Sequence, residues 1–156
     1  MEGELQKTLA YLMRQCAQRE YCRSDVYKKA LRRLEDESLA EKAVEKLVQE
    51  GFVDEERYAA AFVRDKSSLG GWGPIKISAA LAAKGIPRET IKTALSREEA
   101  AGPAGEEKLR KALIIKHKAL KEDPAVKIKL LKFALSRGFP YETSEKAVSE
   151  ILRGGN

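Results

Sequence analysis

The phrase Lys84-Gly85-Ile86-Pro87-Arg88-Glu89-Thr90 returns 53 residues later as Arg137-Gly138-Phe139-Pro140-Tyr141-Glu142-Thr143. Glycine, proline, glutamate and threonine are identical, Lys84 pairs with Arg137, and Ile86 pairs with Phe139. Recurrence at such a period marks stacked supersecondary units, which present a surface more readily than they enclose a catalytic pocket. The phrase itself reads as punctuation. Glycine ends one helix in left-handed backbone, and proline a little further on launches the next.

Helix signals divide the 156 residues into three blocks of about fifty, each holding three helices. Leu5, Leu9, Leu12 and Cys16 recur at helical spacing and form one apolar stripe. Ser24 and Ser38 are the expected N-caps of the next two helices, and Gly51 ends the third. Asp54-Glu55-Glu56 opens the second block, Pro74 and Pro87 start its later helices, and Gly70-Gly71-Trp72-Gly73 breaks the chain between the first two. In the third block a helix spans residues 106–120, Asp123-Pro124 reads as an N-cap with a first-turn proline, and Pro140 starts the last helix. The expected fold is all-α: three tandem three-helix repeats, about nine helices, forming an elongated, curved array. The expected boundaries are 1–53, 54–97 and 106–153, with 98–105, rich in Ala, Gly and Pro, as a linker.

Charge separates the blocks. Residues 1–53 carry 10 basic and 10 acidic side chains, residues 54–104 carry 8 and 7, and residues 105–156 carry 12 and 7. From Lys108 to Lys132, nine cations face only Glu122 and Asp123, so the last third is suited to an anionic partner. In the helix after the linker, Leu109, Ala112, Leu113 and Leu120 fall on one side, with Arg110, Lys111, Lys118 and Lys121 largely on the other. Lys116 interrupts the apolar stripe and is expected to snorkel.

Catalytic chemistry finds no footing. Gly70-Gly71-Trp72-Gly73 lacks the Gly-Lys-Ser/Thr ending of a phosphate-binding loop, and His117 has no nucleophile or carboxylate constellation beside it. Cys16, Cys22 and His117 are too few for a zinc site of the usual spacing, so neither metal nor cofactor is expected. Cys16 reads as a small buried hydrophobe. The acidic start and the lack of a long apolar run predict a cytoplasmic protein with no membrane contact.

These residues resemble the RecX family of bacterial regulatory proteins, over almost the whole chain. The likeness is carried by Gly51-Phe52-Val53-Asp54-Glu55-Glu56-Arg57-Tyr58-Ala59, Phe62-Val63-Arg64, Gly73-Pro74-Ile75-Lys76-Ile77 and Lys84-Gly85-Ile86. Tyr11-Leu12-Met13-Arg14 and Phe133-Ala134-Leu135-Ser136-Arg137-Gly138-Phe139 extend it. One departure stands out: where the family's first repeat has a basic-Gly-aromatic turn, this chain has Arg33-Leu34-Glu35-Asp36. A left-handed C-cap is costly without glycine, so a longer or differently shaped junction is expected there.

The resemblance implies a regulator, not an enzyme: a monomer that binds the RecA recombinase and its filament on DNA, restrains RecA activities, and makes at most weak DNA contacts of its own. Contact points on successive repeats suit a polymer, because tethered weak contacts gain affinity through effective concentration. Candidate partner-binding residues are Arg64, Lys76 and Lys84 in the second block, and Arg110, Lys111, Lys118, Lys121, Lys127, Lys129 and Lys132 in the third. Trp72 reads as a cap over a repeat core, and Tyr58, Phe62, Phe133 and Phe139 read as packing residues. The alternatives are a helical DNA-binding protein acting through its own nucleic-acid contacts, and a generic scaffold. No helix carries a compact Arg, Asn and Gln set for reading base edges.

Overall fold

A computed structural model describes residues 2–154, and among these the fold is all-α. Nine helices follow one another: α1 (Glu2–Gln18), α2 (Arg23–Leu34), α3 (Glu37–Gln49), α4 (Glu55–Ser68), α5 (Pro74–Ala83), α6 (Arg88–Ala101), α7 (Ala104–Ala119), α8 (Val126–Ser136) and α9 (Tyr141–Leu152). Two compact units form. The first comprises residues 1–61 and 81–92, the second residues 62–80 and 93–156.

In the first unit, α1, α2 and α3 bury Leu9, Leu12, Val26, Ala30, Ala40, Ala43, Val44 and Leu47 around one core, closed by Val53. Ala30 on α2 and Ala40 and Ala43 on α3 are fully buried, and such small side chains let helices approach closely. Residues from α4 to α6 that belong to this unit add buried Tyr58, Ala59, Leu81, Ile86 and Ile91. In the second unit, α7, α8 and α9 close over Leu109, Leu113, Leu130, Ala134, Phe139, Val148 and Ile151. Val63, Ile77 and Ala94 are buried there as well.

The repeated phrase forms the helix ends. Gly85 has φ +82°, its N–H donates to Ala82 O, and the N–H of Ile86 donates to Leu81 O, the paired bonds of a Schellman motif that buries Ile86. Gly51 ends α3 in the same way, through Val48 O and Leu47 O. Gly138 has φ +95°, and Phe139 behind it is buried.

These turns also dock. In the first unit the carbonyl of Lys84 accepts the Ser24 hydroxyl at 2.9 Å, and the Lys84 ammonium meets the Asp25 carboxylate at 2.8 Å, both at the start of α2. In the second unit, the carbonyls of Arg137 and Gly138 accept the N–H groups of Gly73 (2.7 Å) and Ile75 (2.9 Å) at the start of α5. In each case carbonyls at the end of one helix accept donors at the opening turn of another, the Ser24 hydroxyl in the first unit and backbone N–H groups in the second.

Several helix boundaries differ from the sequence-based expectation. The N-cap of α2 is Cys22, and Ser24 lies inside the first turn, its hydroxyl turned to Lys84. Asp36, not Ser38, caps α3, accepting the N–H of Leu39 at 3.1 Å. It holds that place because α2 runs to Leu34 and leaves only Glu35 and Asp36 outside a helix. Asp123 accepts the N–H of Ala125 at 2.8 Å, but this makes a turn, and α8 starts only at Val126. Within residues 98–105 only Gly102 and Pro103 lie outside helices, since the flanking alanines are strong helix formers and Glu106 and Glu107 suit the positive end of α7.

Glu35 is the one non-glycine residue at positive φ among those described, at φ 52° and ψ 34°. Its N–H donates to Leu31 O, so the left-handed cap survives without glycine. The α2–α3 junction is therefore shorter than expected: two residues, against four in Lys84–Pro87 and in Arg137–Pro140. Cys22, not Cys16, is the fully buried cysteine, and Cys16 is half-buried.

Candidate partner-binding surface

Charge and exposed apolar area gather on the second unit. The first unit holds 14 basic and 14 acidic side chains and the second 16 and 10, so the entire formal excess of +6 lies in the second. All six large apolar side chains that stand exposed among the described residues are there too: Leu69, Ile75, Ile115, Ile128, Leu135 and Tyr141. Exposed apolar side chains and excess positive charge thus fall on the same unit.

Ten cations were singled out from sequence, and nine of them fall in this unit. Lys84 does not, and its ammonium is committed to Asp25. Partial burial alone would raise the Asp25 carboxyl, but hydrogen bonds from Lys84 and Cys22 and the lysine charge outweigh it and hold the group below the usual carboxylate range. The same hydrogen bond pushes Lys84 up.

Lys76 faces an aromatic cluster. Phe62 and Lys66 sit one turn apart on α4, and Trp72 meets Phe62 edge-on, with ring centroids 6.3 Å apart. The ammonium groups of Lys76 and Lys66 lie 4.4 and 4.7 Å from the centre of the Trp72 ring. Each such cation–π contact is worth about 0.5–2 kcal/mol. Trp72 thus packs beside Phe62 of α4 while its ring carries two positive charges. Arg64 is exposed, two residues before Lys66 and so on another side of α4.

On α7, Leu109 and Leu113 are buried, while Lys111 and Lys118, two turns apart, are exposed on one face. Lys121 is exposed in the following turn and Lys132 on α8, and among the described residues none of these four has an ion-pair partner. Arg110, Lys127 and Lys129 are held instead by Glu150, Glu145 and Asp123. The Lys129 hydrogen bond keeps the Asp123 carboxyl below its ordinary range.

Sequence reasoning missed a second group. Phe133 is half-exposed, with the Lys116 ammonium 5.0 Å and the Arg137 guanidinium 5.1 Å from its ring centre. The snorkelling expected of Lys116 ends on this ring. Leu69, Lys108 and Ile115 lie around the same cleft. Only Ile115 left a signal in the sequence, as an apolar residue off the Leu109–Leu113 stripe.

Nine helices in successive threes among the described residues, with a neutral first unit and a basic, apolar-studded second one, define an all-α helical-repeat protein. The profile described as "RecX, second three-helix domain" matches residues 54–95. "Regulatory protein RecX" of Thermus thermophilus is 31% identical over 135 residues, covering 86% of this chain and 84% of the relative. That of Pseudomonas putida (strain W619) is 30% identical over 134 residues, 85% and 83% of the two chains. The chain belongs to the RecX family of regulatory proteins. Against the protein of that name from Xanthomonas axonopodis pv. citri (strain 306) identity is 37% over 95 residues, and the match spans 61% of this chain but only 56% of the relative. In fold, the crystal structure of RecX from Lactobacillus salivarius superposes with a TM-score of 0.82 at 20% identity, covering 98% of this chain and 99% of that one. A second crystal structure, of regulatory protein RecX, gives 0.80 at 23% identity over 94% and 72%. Among the described residues no helix is long and apolar enough to cross a membrane.

Proposed function

We propose that this chain is a cytoplasmic regulator that binds the RecA recombinase, above all its filament on DNA, and restrains its recombination, ATPase and coprotease activities without chemistry of its own. The observation that carries this reading is the gathering of the whole excess charge, and of all six large apolar side chains exposed among the described residues, on the second unit. A polyanionic filament coated with protein offers both kinds of contact, phosphate for the lysines and apolar protein surface for the leucines and isoleucines. The free lysines 111, 118, 121 and 132 supply the charge, with Arg64 and Lys76 as further contacts. Preference for the filament over free RecA then shifts RecA's equilibrium by the difference in affinity between the two states.

The basic surface also favours a second reading, direct binding to DNA. Cosedimentation with RecA filaments and with bare DNA across a salt series separates the two. Retention by filaments in excess of bare DNA is the expected result. Retention by bare DNA alone, with a steep loss as salt rises, establishes the second reading in its place.

A further inference from the structure

The two most exposed large apolar side chains of the described residues, Leu69 (74%) and Ile115 (71%), line the same cleft in the second unit. The cleft has a volume of about 360 Å³ and runs between the loop after α4 and the facing sides of α7 and α8. Its other walls include Gly70 and Gly71, Lys108, Lys111, Phe133 and Arg137, and no carboxylate lines it. Its charge is therefore of one sign. Lys108, Lys111, Lys116 and Arg137 have no ion-pair partner among the described residues, whereas Arg110, Lys127 and Lys129 on the same two helices do.

Three of these four cations are held in place. The stem of Lys108 packs on the backbone of Gly71, where an added Cβ would lie 2.8 Å from its Cγ, so glycine at φ +67° is what lets the lysine lie along the loop. Lys116 and Arg137 are fixed over the Phe133 ring. A surface evolved only for solubility has no need to aim three cations at a cleft whose rim is leucine and isoleucine.

We infer that this cleft takes an acidic protein segment with an apolar anchor, the anchor lying between Leu69 and Ile115 and its flanking carboxylates meeting Lys108, Lys111 and Arg137. Nucleic acid is the poorer fit. The Phe133 ring that could stack a base carries two cations, and the most exposed side chains at the rim are aliphatic. Under the function proposed above, on which the choice of assay partner rests, the segment belongs to RecA as it stands in the filament.

The test measures binding of the full chain to RecA filaments and to bare DNA, for the wild type, for Leu69→Ser/Ile115→Ser and for Lys108→Glu/Lys111→Glu. All four positions are exposed, and circular dichroism and thermal melting check that each variant remains folded. Both variants are expected to bind filaments about tenfold or more weakly, with the serine variant unchanged toward bare DNA. Filament binding within twofold of wild type for the serine variant overturns the cleft assignment and leaves the proposed function standing. A wild type that ignores filaments overturns both. Equal loss on bare DNA for the serine variant assigns the cleft to nucleic acid and overturns the inference.

Discussion

Gly73 and Gly138 meet backbone to backbone in the second unit, with an added Cβ on Gly73 falling 2.5 Å from the carbonyl oxygen of Gly138. From the other side, a Cβ on Gly138 would run into the backbone and Cβ of Lys76. Gly85 matches Gly138 in sequence and in sign of φ, yet a Cβ there meets nothing within 4 Å. One glycine is needed for its dihedral angle alone, the other for its angle and for contact.

Alanine substitutions separate these two needs. Gly85→Ala is expected to cost about 1 kcal/mol, the strain of left-handed backbone. Gly138→Ala and Gly73→Ala are expected to cost about 3 kcal/mol or more, because backbone must move and the bonds from Gly73 and Ile75 to the carbonyls after α8 break. Urea denaturation of the three variants checks the order. Equal losses at Gly85 and Gly138 would remove the contact argument.

Glu35 carries the opposite strain. It holds φ 52° in an exposed turn with no glycine to relieve it. Glu35→Gly is expected to raise stability by about 0.5–1 kcal/mol, less than the full left-handed penalty because glycine also frees the unfolded chain. An increase in urea midpoint at unchanged slope is the reading to look for.

The Lys84–Asp25 pair gives a pH signature. Asp25 titrates below its ordinary 3.8, so its contribution is present above that value and is lost as pH falls through the depressed one. Lys84 is raised above 10.5, so its contribution is present below that value and is lost as pH rises through the raised one. The Lys84 side chain is 41% exposed, which holds the expected cost of Asp25→Asn near about 1 kcal/mol. Denaturation from neutral to acid pH should show the variant's deficit shrinking below the ordinary carboxylate range. A deficit that stays constant to the lowest pH would mean that the charge does not contribute.

Burial pushes the thiols of both Cys16 and Cys22 up. A thiol reagent at neutral pH should label half-buried Cys16 slowly and fully buried Cys22 only on unfolding. Rapid labelling of Cys22 in the native protein would show that the α2 N-terminus opens.

The fold was legible because its signals are local. Gly51, Gly85 and Gly138 end helices where glycine must, and the stripe through Leu9 and Leu12 faces the core. The caps were less so, since Ser24, Asp36 and Asp123 are all good caps in isolation and their roles were decided by neighbours: Lys84 took the Ser24 hydroxyl, and the Glu35 turn left α3 to Asp36. For the surface, charge density pointed to α7 and α8, but sequence could not tell free lysines from paired ones. Glu145 and Glu150 on α9 hold Lys127 and Arg110 across helices. Of the cleft only Ile115 left a trace in the sequence, because Leu69, Ile115 and Phe133 come together only through packing.

If the free cations on the second unit serve restraint of RecA, removing their charge must weaken that restraint. RecA's DNA-dependent ATP hydrolysis reads this out as the chain is titrated in, with the wild type beside Lys111→Glu/Lys118→Glu/Lys121→Glu. The expected result is a dose-dependent fall with wild type, about tenfold weaker for the variant and weakened further by salt. Unchanged hydrolysis at every wild-type concentration, or equal inhibition by the variant at every salt, would contradict it.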